Sequence, residues 1–161
     1  MTLTIKPESI ESPVVAELIL ALNAELEERY PEEGANHFRL DPAEVAPGRG
    51  VFLVAYADGV AAGCGAVRVN GPGIAEIKRM FVVPAYRGRG IAGQVLAQLE
   101  VHARELGVRQ LVLETGVRQP ESIAVYRRAG FDEIPLFGEY LNSPLTSLCM
   151  GKWLAAGGEN E

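Results

Sequence analysis

A chain of 161 residues, 48% hydrophobic and 22% charged, has the length of one ordinary domain and is long enough to bury a real core. Its formal charge of −6 argues against broad nucleic-acid binding, and no stretch approaches the ~20 consecutive apolar residues of a membrane span. The opening residues Met1 to Lys6 lack the apolar region of a signal peptide, so a cytoplasmic location is expected. The two cysteines, Cys64 and Cys149, sit in apolar strand-like runs without metal-ligand spacing, so buried free thiols and no metal are expected.

In chain order, Leu3 to Lys6 is a short first strand. Pro13 to Arg29 is an amphipathic helix: Val14, Val15, Leu18, Leu22 and Leu26 recur at helical spacing, Ser12 stands as N-cap, and Pro13 occupies the first turn, where its missing N–H is no loss. Tyr30 to Pro42 is irregular and punctuated by Pro and Gly, longer than a compact domain usually keeps without use. It is expected to be a substrate lid in which His37 and Arg39 meet an acidic group; a floppy connector is the plainer alternative. Val51 to Tyr56 and Val60 to Val69 are strands joined by a tight hairpin, because Asp58-Gly59 supplies the positive φ angles such a turn needs. Asn70 to Gly73 turns into a fourth strand, apolar from Ile77 to Val83 and ended by Pro84, which cannot donate a ladder hydrogen bond. A helix runs from Ile91 on Val95, Leu96, Leu99 and Leu106 and ends at Gly107. Val108 to Glu114 is a fifth strand, reached by a helical crossover and so parallel to the fourth. A short helix opens at Gln119-Pro120 and closes at Ala129-Gly130. Phe131 to Ile134 and Leu145 to Leu154 are the last two strands, flanking the loop Pro135 to Pro144, and Ala155 to Glu161 is a frayed tail. The whole is one α+β domain over residues 1–161, without repeat or internal boundary.

Between the fourth strand and the next helix lies Arg87-Gly88-Arg89-Gly90-Ile91-Ala92-Gly93. Residues without side chains let backbone N–H groups turn toward one point at the positive end of a helix dipole, which makes an anion cradle. Two arginines add charge-assisted donors and favour a pyrophosphate over a lone carboxylate. Gly88-x-Gly90-x-x-Gly93 is also a dinucleotide-binding string, with Glu114 at about 20 residues beyond. Pro84 to Arg87 intervene between strand and glycines, however, antiparallel strands precede the loop, and too little chain follows for a second nucleotide-binding half.

Arg87-x-x-Gly90-x-Ala92, following Met80 to Tyr86, resembles the acetyl-CoA pyrophosphate loop of the GNAT superfamily of N-acetyltransferases. The segment from Glu121 to Phe131, with its Ala-x-Tyr-x-x-x-Gly-Phe pattern, is similar to the element of that family that carries a tyrosine beside the CoA sulfur, here Tyr126. The two motifs cover roughly Glu76 to Phe131. The resemblance implies a mixed, mostly antiparallel sheet of six or seven strands flanked by helices, with the fourth and fifth strands parallel and splayed. It further implies acetyl-CoA as cofactor, held by Met80, Phe81, Val82, Arg87, Gly88, Arg89, Gly90, Ile91, Ala92 and Gly93. The Val82 N–H would polarise the thioester carbonyl. Gln119 stands where many members carry an asparagine that touches the pantetheine arm.

Acetyl transfer to an amine needs a base, an oxyanion donor and an acid for the departing thiolate. Glu76, early on the fourth strand, and Glu114, at the end of the fifth, both fall where family members carry a catalytic glutamate, and the residues alone leave the choice open. A surface or salt-bridged carboxylate is the alternative for each. Tyr126 is the hydroxyl placed to act as acid; packing on an amphipathic helix is its plainer explanation. Strand alternation puts Glu76, Lys78, Met80 and Val82 on one face, unless a bulge of the kind the family shows in this strand resets the count. Lys78 and Arg79 would recognise an acidic group on the acceptor or pair with Glu76 and Glu114. Arg39, Arg68, Phe137, Glu139 and Tyr140 are weaker acceptor-pocket residues. The expected activity is transfer from acetyl-CoA to a primary amine of a small molecule in a ternary complex. Alternatives are a non-catalytic acyl-CoA sensor and acetylation of a protein N-terminus or lysine; a homodimer is left open.

Overall fold

A computed structural model of the chain describes residues 1–31 and 42–154. The lid segment, with His37 and Arg39, and the tail therefore lie outside the described residues apart from Tyr30, Pro31 and Pro42. Seven strands, β1 (Leu3–Pro7), β2 (Gly50–Ala57), β3 (Val60–Gly71), β4 (Ile74–Val82), β5 (Gln110–Gly116), β6 (Asp132–Ile134) and β7 (Ser147–Trp153), form one sheet in the order β1-β2-β3-β4-β5-β7-β6. Neighbours are antiparallel except β4 and β5. Helix α1 (Pro13–Arg29) covers one face, and α2 (Ile91–Glu105) and α3 (Pro120–Arg128) cover the other.

Both faces of the sheet are covered, which is why β2 reads as an almost unbroken apolar run. Phe52 and Val54 join Val15, Leu18 and Leu22 of α1, while the alternate residues Leu53, Ala55 and Ala57 join Val95, Leu96 and Leu99 of α2. The predicted bounds of α1 hold, and the Ser12 hydroxyl accepts from the Val15 N–H at 3.3 Å. The hairpin has Asp58 at φ 49° and Gly59 at φ 84°. Both cysteines are free and buried, and burial pushes the Cys64 thiol up to about 12, far from reactivity at neutral pH.

Two features of β4 set up the site. Its parallel pairing with β5 runs only from Ile74↔Gln110 to Ile77↔Leu113, although β4 continues to Val82 and β5 to Gly116. Past Ile77 and Leu113 the two strands part. The second feature is a bulge: Cys64↔Phe81 and Ala66↔Lys78 set three steps on β4 against two on β3, and Arg79 sits at φ 58°. The simple alternation expected for Glu76, Lys78, Met80 and Val82 is therefore corrected. Met80 and Val82 pack against the α2 side, where Met80 reaches over Gly65 toward Val95 and Leu99, while Phe81 joins the α1 core.

Several boundaries also move. The fifth strand starts at Gln110 and continues two residues beyond Glu114, the seventh starts at Ser147, and Pro84–Tyr86 forms a one-turn 3-10 helix.

Candidate active site

At one end of the splay stands the glycine loop. Gly88 and Gly90 both have positive φ, 80° and 78°, and Gly90 is the N-cap of α2 without a side chain to close it. The first hydrogen bond of the helix joins the Gln94 N–H to the Gly90 carbonyl at 3.2 Å, so the N–H groups of Ile91, Ala92 and Gly93 have no helical acceptor. A Cβ built at Gly88, Gly90 or Gly93 meets nothing within 4 Å, which leaves the approach to these donors open. That geometry fits a diphosphate. The arginines divide: Arg87 donates from Nε to the Val82 carbonyl at 2.9 Å and from its guanidinium to Glu25 at 2.8 Å, over the Phe81 ring, while Arg89 lies over Tyr86. Arg87 thus ties the loop to the end of β4 and to α1.

In the splay itself is a cavity walled by Leu22, Leu26 and Tyr30 of the α1 side, Lys78 to Met80 of β4, Glu114 to Gly116 of β5, Gln119, Ser122 and Tyr126 of the α3 side, and Tyr140. Glu114 accepts a hydrogen bond from the Ser147 hydroxyl at 2.6 Å. Burial pushes its carboxyl up to about 7, opposed by the Ser147 hydrogen bond and reinforced by the charge of Glu76. Tyr126 is buried edge-on to Phe131, 6.0 Å between ring centres, and its hydroxyl has no hydrogen-bond partner among the described residues. Burial, with the charge of Glu114, holds that phenol above its ordinary range. The Gln119 side-chain oxygen is engaged within the chain, accepting from the Thr115 hydroxyl at 3.2 Å and the Gly116 N–H at 3.4 Å.

The two glutamates are not equivalent. Glu76 is 1% exposed and does not line the cavity; it accepts from the Arg68 guanidinium at 2.8 Å and from the Tyr140 hydroxyl at 2.5 Å. Arg68 also pairs with Glu44, so Glu76 lies inside a chain of partners that links the stretch after Pro42 to Tyr140. Lys78 and Arg79 do line the cavity, but neither pairs with Glu76 or Glu114: Lys78 donates to Glu139 at 3.2 Å and Arg79 to Asn23 of α1 at 3.0 Å.

The structure brings together Glu114, Tyr126, Met80, Gln119, Lys78, Arg79 and Tyr140. Glu76 stands outside the cavity, and the Phe81 side chain stays in the core. Tyr30, Gly116 and Ser147 went unmarked as site residues. Tyr30 ends α1 and packs on Gly116, with its hydroxyl accepting from the Arg118 N–H at 2.7 Å, a pairing 88 residues apart in sequence that no local pattern announces.

The family model described as Acetyltransferase (GNAT) family matches residues 15–131. An IAA acetyltransferase of Azospirillum brasilense is 43% identical over 150 residues, covering 92% of this chain and 96% of that protein. Among solved structures, a putative acyl-CoA N-acyltransferase from Klebsiella pneumoniae superposes with a TM-score of 0.80 at 32% identity, over 96% of this chain and 99% of that one. A GNAT family acetyltransferase from Elizabethkingia anophelis with acetyl-CoA bound shares the fold, at TM-score 0.68 and 19% identity over 94% and 98% of the two chains. The open cradle before α2, the parting of β4 from β5 and these matched spans agree: the chain belongs to the GNAT family of acetyltransferases and is an acyltransferase.

Proposed function

We propose that the enzyme transfers the acetyl group of acetyl-CoA to a primary amine of a small molecule by direct attack within a ternary complex, with Glu114 as general base and Tyr126 as general acid. The observation that carries this reading is the cavity in the strand splay, where a carboxyl held near neutrality and an unpartnered phenol line one space. The backbone N–H groups of Ile91, Ala92 and Gly93, with Gly88, Arg89 and Gly90 around them, would hold the diphosphate. Met80 and Gln119 would line the path of the arm, and Arg87 would fix the loop. When bound, acetyl-CoA supplies an acetyl group activated as a thioester.

The rest is the work of the chain. An acceptor ammonium has a pKa of ~10, so passing its proton to an ordinary carboxylate is uphill by ~6 units, about 8 kcal/mol. Burial lifts Glu114 to about 7 and halves that gap. Glu114 must be ionised to act, and Ser147 holds it oriented through a donated hydrogen bond. Tyr126 keeps its proton at Oη throughout the working range and presents it to the cavity, where a departing thiolate needs one. Glu76 is a positioning residue, holding Tyr140 in the cavity wall. Residues 1–161 are read as one acetyltransferase domain acting in the cytoplasm. No described helix is long and apolar enough to cross a membrane.

Thiol release from acetyl-CoA, measured across small amines and peptides with free N-termini or lysines, tests the reading. Small amines should be turned over, and Tyr126→Phe should lower kcat by roughly 10- to 1000-fold while leaving acetyl-CoA affinity within about twofold. Turnover of peptides alone would replace the small-molecule acceptor with a protein. Full kcat in Tyr126→Phe would remove the tyrosine from the chemistry.

A further inference from the structure

The cavity runs through the strand splay from one face of the sheet to the other. Alternation along β5 turns Glu114 to the α1 face, because Leu111 and Leu113 belong to the α2-side core. Leu22 and Leu26 of α1 line the cavity on that same face. On the opposite face it is lined by Ile77, Met80 and Tyr126, which belong to the α2-side core or pack against it. An amine at Glu114 and a sulfur beside Tyr126 take two sides of a thioester carbon. The remaining substituent on that carbon is left to face Ile77 and Met80.

Met80 is the adjustable part of that wall. It is only partly buried, whereas Ile77 is 3% exposed. Opposite it on β3 stands Gly65, which has no positive φ, so its backbone does not demand a glycine. Space does: a Cβ there would strike the Met80 sulfur and come within 2.9 Å of Val95 and 3.1 Å of Leu99, both fully buried. The Met80 thioether thus fills the slot that a side chain at position 65 would occupy between β3 and α2, the kind of close approach that a glycine inside a strand marks.

We infer that Met80, seated over Gly65, sets the length of the acyl group that the enzyme takes from its donor. The side chain plugs an apolar slot floored by Gly65, Val95 and Leu99, and so holds the donor to acetyl. This inference rests on the reading of the same cavity as the place where an acyl-CoA thioester reacts. Methionine is unbranched and flexible, so truncating it removes Cγ, Sδ and Cε and opens the slot without altering the strand's pairing. Every wall then uncovered is apolar, and each methylene that enters leaves water favourably.

The test measures the affinity of CoA, acetyl-CoA, butyryl-CoA and hexanoyl-CoA for the parent and for Met80→Ala by calorimetry. The parent should bind butyryl-CoA no more tightly than acetyl-CoA. Met80→Ala should bind butyryl-CoA roughly 10-fold more tightly than acetyl-CoA, as two further methylenes leaving water require. Dependence on chain length separates this from a merely structural loss of packing, which would weaken CoA and all its thioesters alike. An acetyl-to-butyryl ratio unchanged from the parent would overturn the inference, and CoA bound by both proteins would leave the cofactor reading standing. No binding of CoA by the parent would refute that reading and the acyl slot with it. Should Met80→Ala fail to fold, Met80→Val, which also lacks Sδ and Cε, is read by the same ratio. Gly65→Ala acts in the opposite direction, because its Cβ drives the Met80 thioether toward the acyl group. It should weaken acetyl-CoA roughly 10-fold more than CoA, and equal losses for the two would place the acyl group elsewhere. Turnover gives a second arm: with any amine that the parent acetylates, kcat/KM should fall by roughly 10- to 200-fold from acetyl-CoA to butyryl-CoA, and Met80→Ala should close that gap. A parent that uses both donors equally would overturn the length limit while leaving the transferase intact.

Discussion

Glu114 is where burial has its sharpest chemical consequence. With its carboxyl held at about 7, activity should rise with pH through that value and level off above it, because only the ionised form accepts a proton. Glu114→Gln should abolish this limb and lower kcat/KM by about 10²- to 10⁴-fold. The same shift has a cost for the fold. Its native pKa lies above the ordinary 4.5, so between about 4.5 and about 7 the folded state binds more protons than the unfolded one, and stability falls as pH rises across that window. At pH values above the window Glu114→Gln should therefore unfold at higher temperature than the parent, by on the order of 2 kcal/mol, and the gain should vanish below it. A variant less stable than the parent in mildly alkaline buffer would contradict the desolvation account. Glu76→Gln should behave oppositely. Weakening its pairing with Arg68 in a fully buried position should cost about 2 kcal/mol, discounted because Arg68 is one-fifth exposed and keeps Glu44. Its pH–rate profile should keep the Glu114 limb, moved to lower pH because a neighbouring negative charge has gone. Loss of the limb in Glu76→Gln would return the base to that residue. Sequence alone left these two glutamates level, since both lie on neighbouring strands at matching motif positions. Their separation depends on Arg68, Tyr140 and Ser147, which reach them from other elements.

Among the elements, the start of α2 carries cofactor recognition. A 15-residue helix with three unpaired N–H groups at its N-terminus and no Cβ over them favours an anion through both hydrogen bonds and dipole. Gly90→Glu places a carboxylate over those donors and strains a residue at φ 78°. It should lose most of the thermal stabilisation that saturating acetyl-CoA gives the parent, about 2.7 kcal/mol at 100 times Kd. Undiminished stabilisation in that variant would move the diphosphate elsewhere. This element was legible because Gly88, Gly90 and the apolar period from Ile91 are adjacent in sequence. So was α1, whose Ser12 and Pro13 are both local start signals. The beginning of β7 was not: Leu145 reads as the first residue of an apolar strand yet is 88% exposed, since pairing begins only at Ser147 with β5 and at Cys149 with β6. Nor was the Arg79 bulge written in residue type, arginine being no marker of positive φ.

At the scale of the molecule, the cavity exists because α1, the parted strands and the turn holding Tyr140 close around one space. Tyr30 joins the first of these to the second, lying against Gly116 so closely that any Cβ there would strike its ring and hydroxyl. Gly116→Ala should displace Tyr30, cost about 1–3 kcal/mol as overpacking, and raise the acceptor KM more than that for acetyl-CoA, readable by denaturation and steady-state kinetics. Unchanged stability would mean the wall yields freely. By itself the sequence determined the order of helices and strands, the tight hairpin at Asp58-Gly59 and the glycine cradle, because each follows from residues within a few positions of one another. The tertiary structure decided which glutamate faces the cavity, which side of the sheet Lys78, Arg79 and Met80 occupy, and what holds Tyr140. Those outcomes turn on strand register and burial, set by partners up to 64 residues away for Tyr140 and Glu76 and therefore absent from any local pattern.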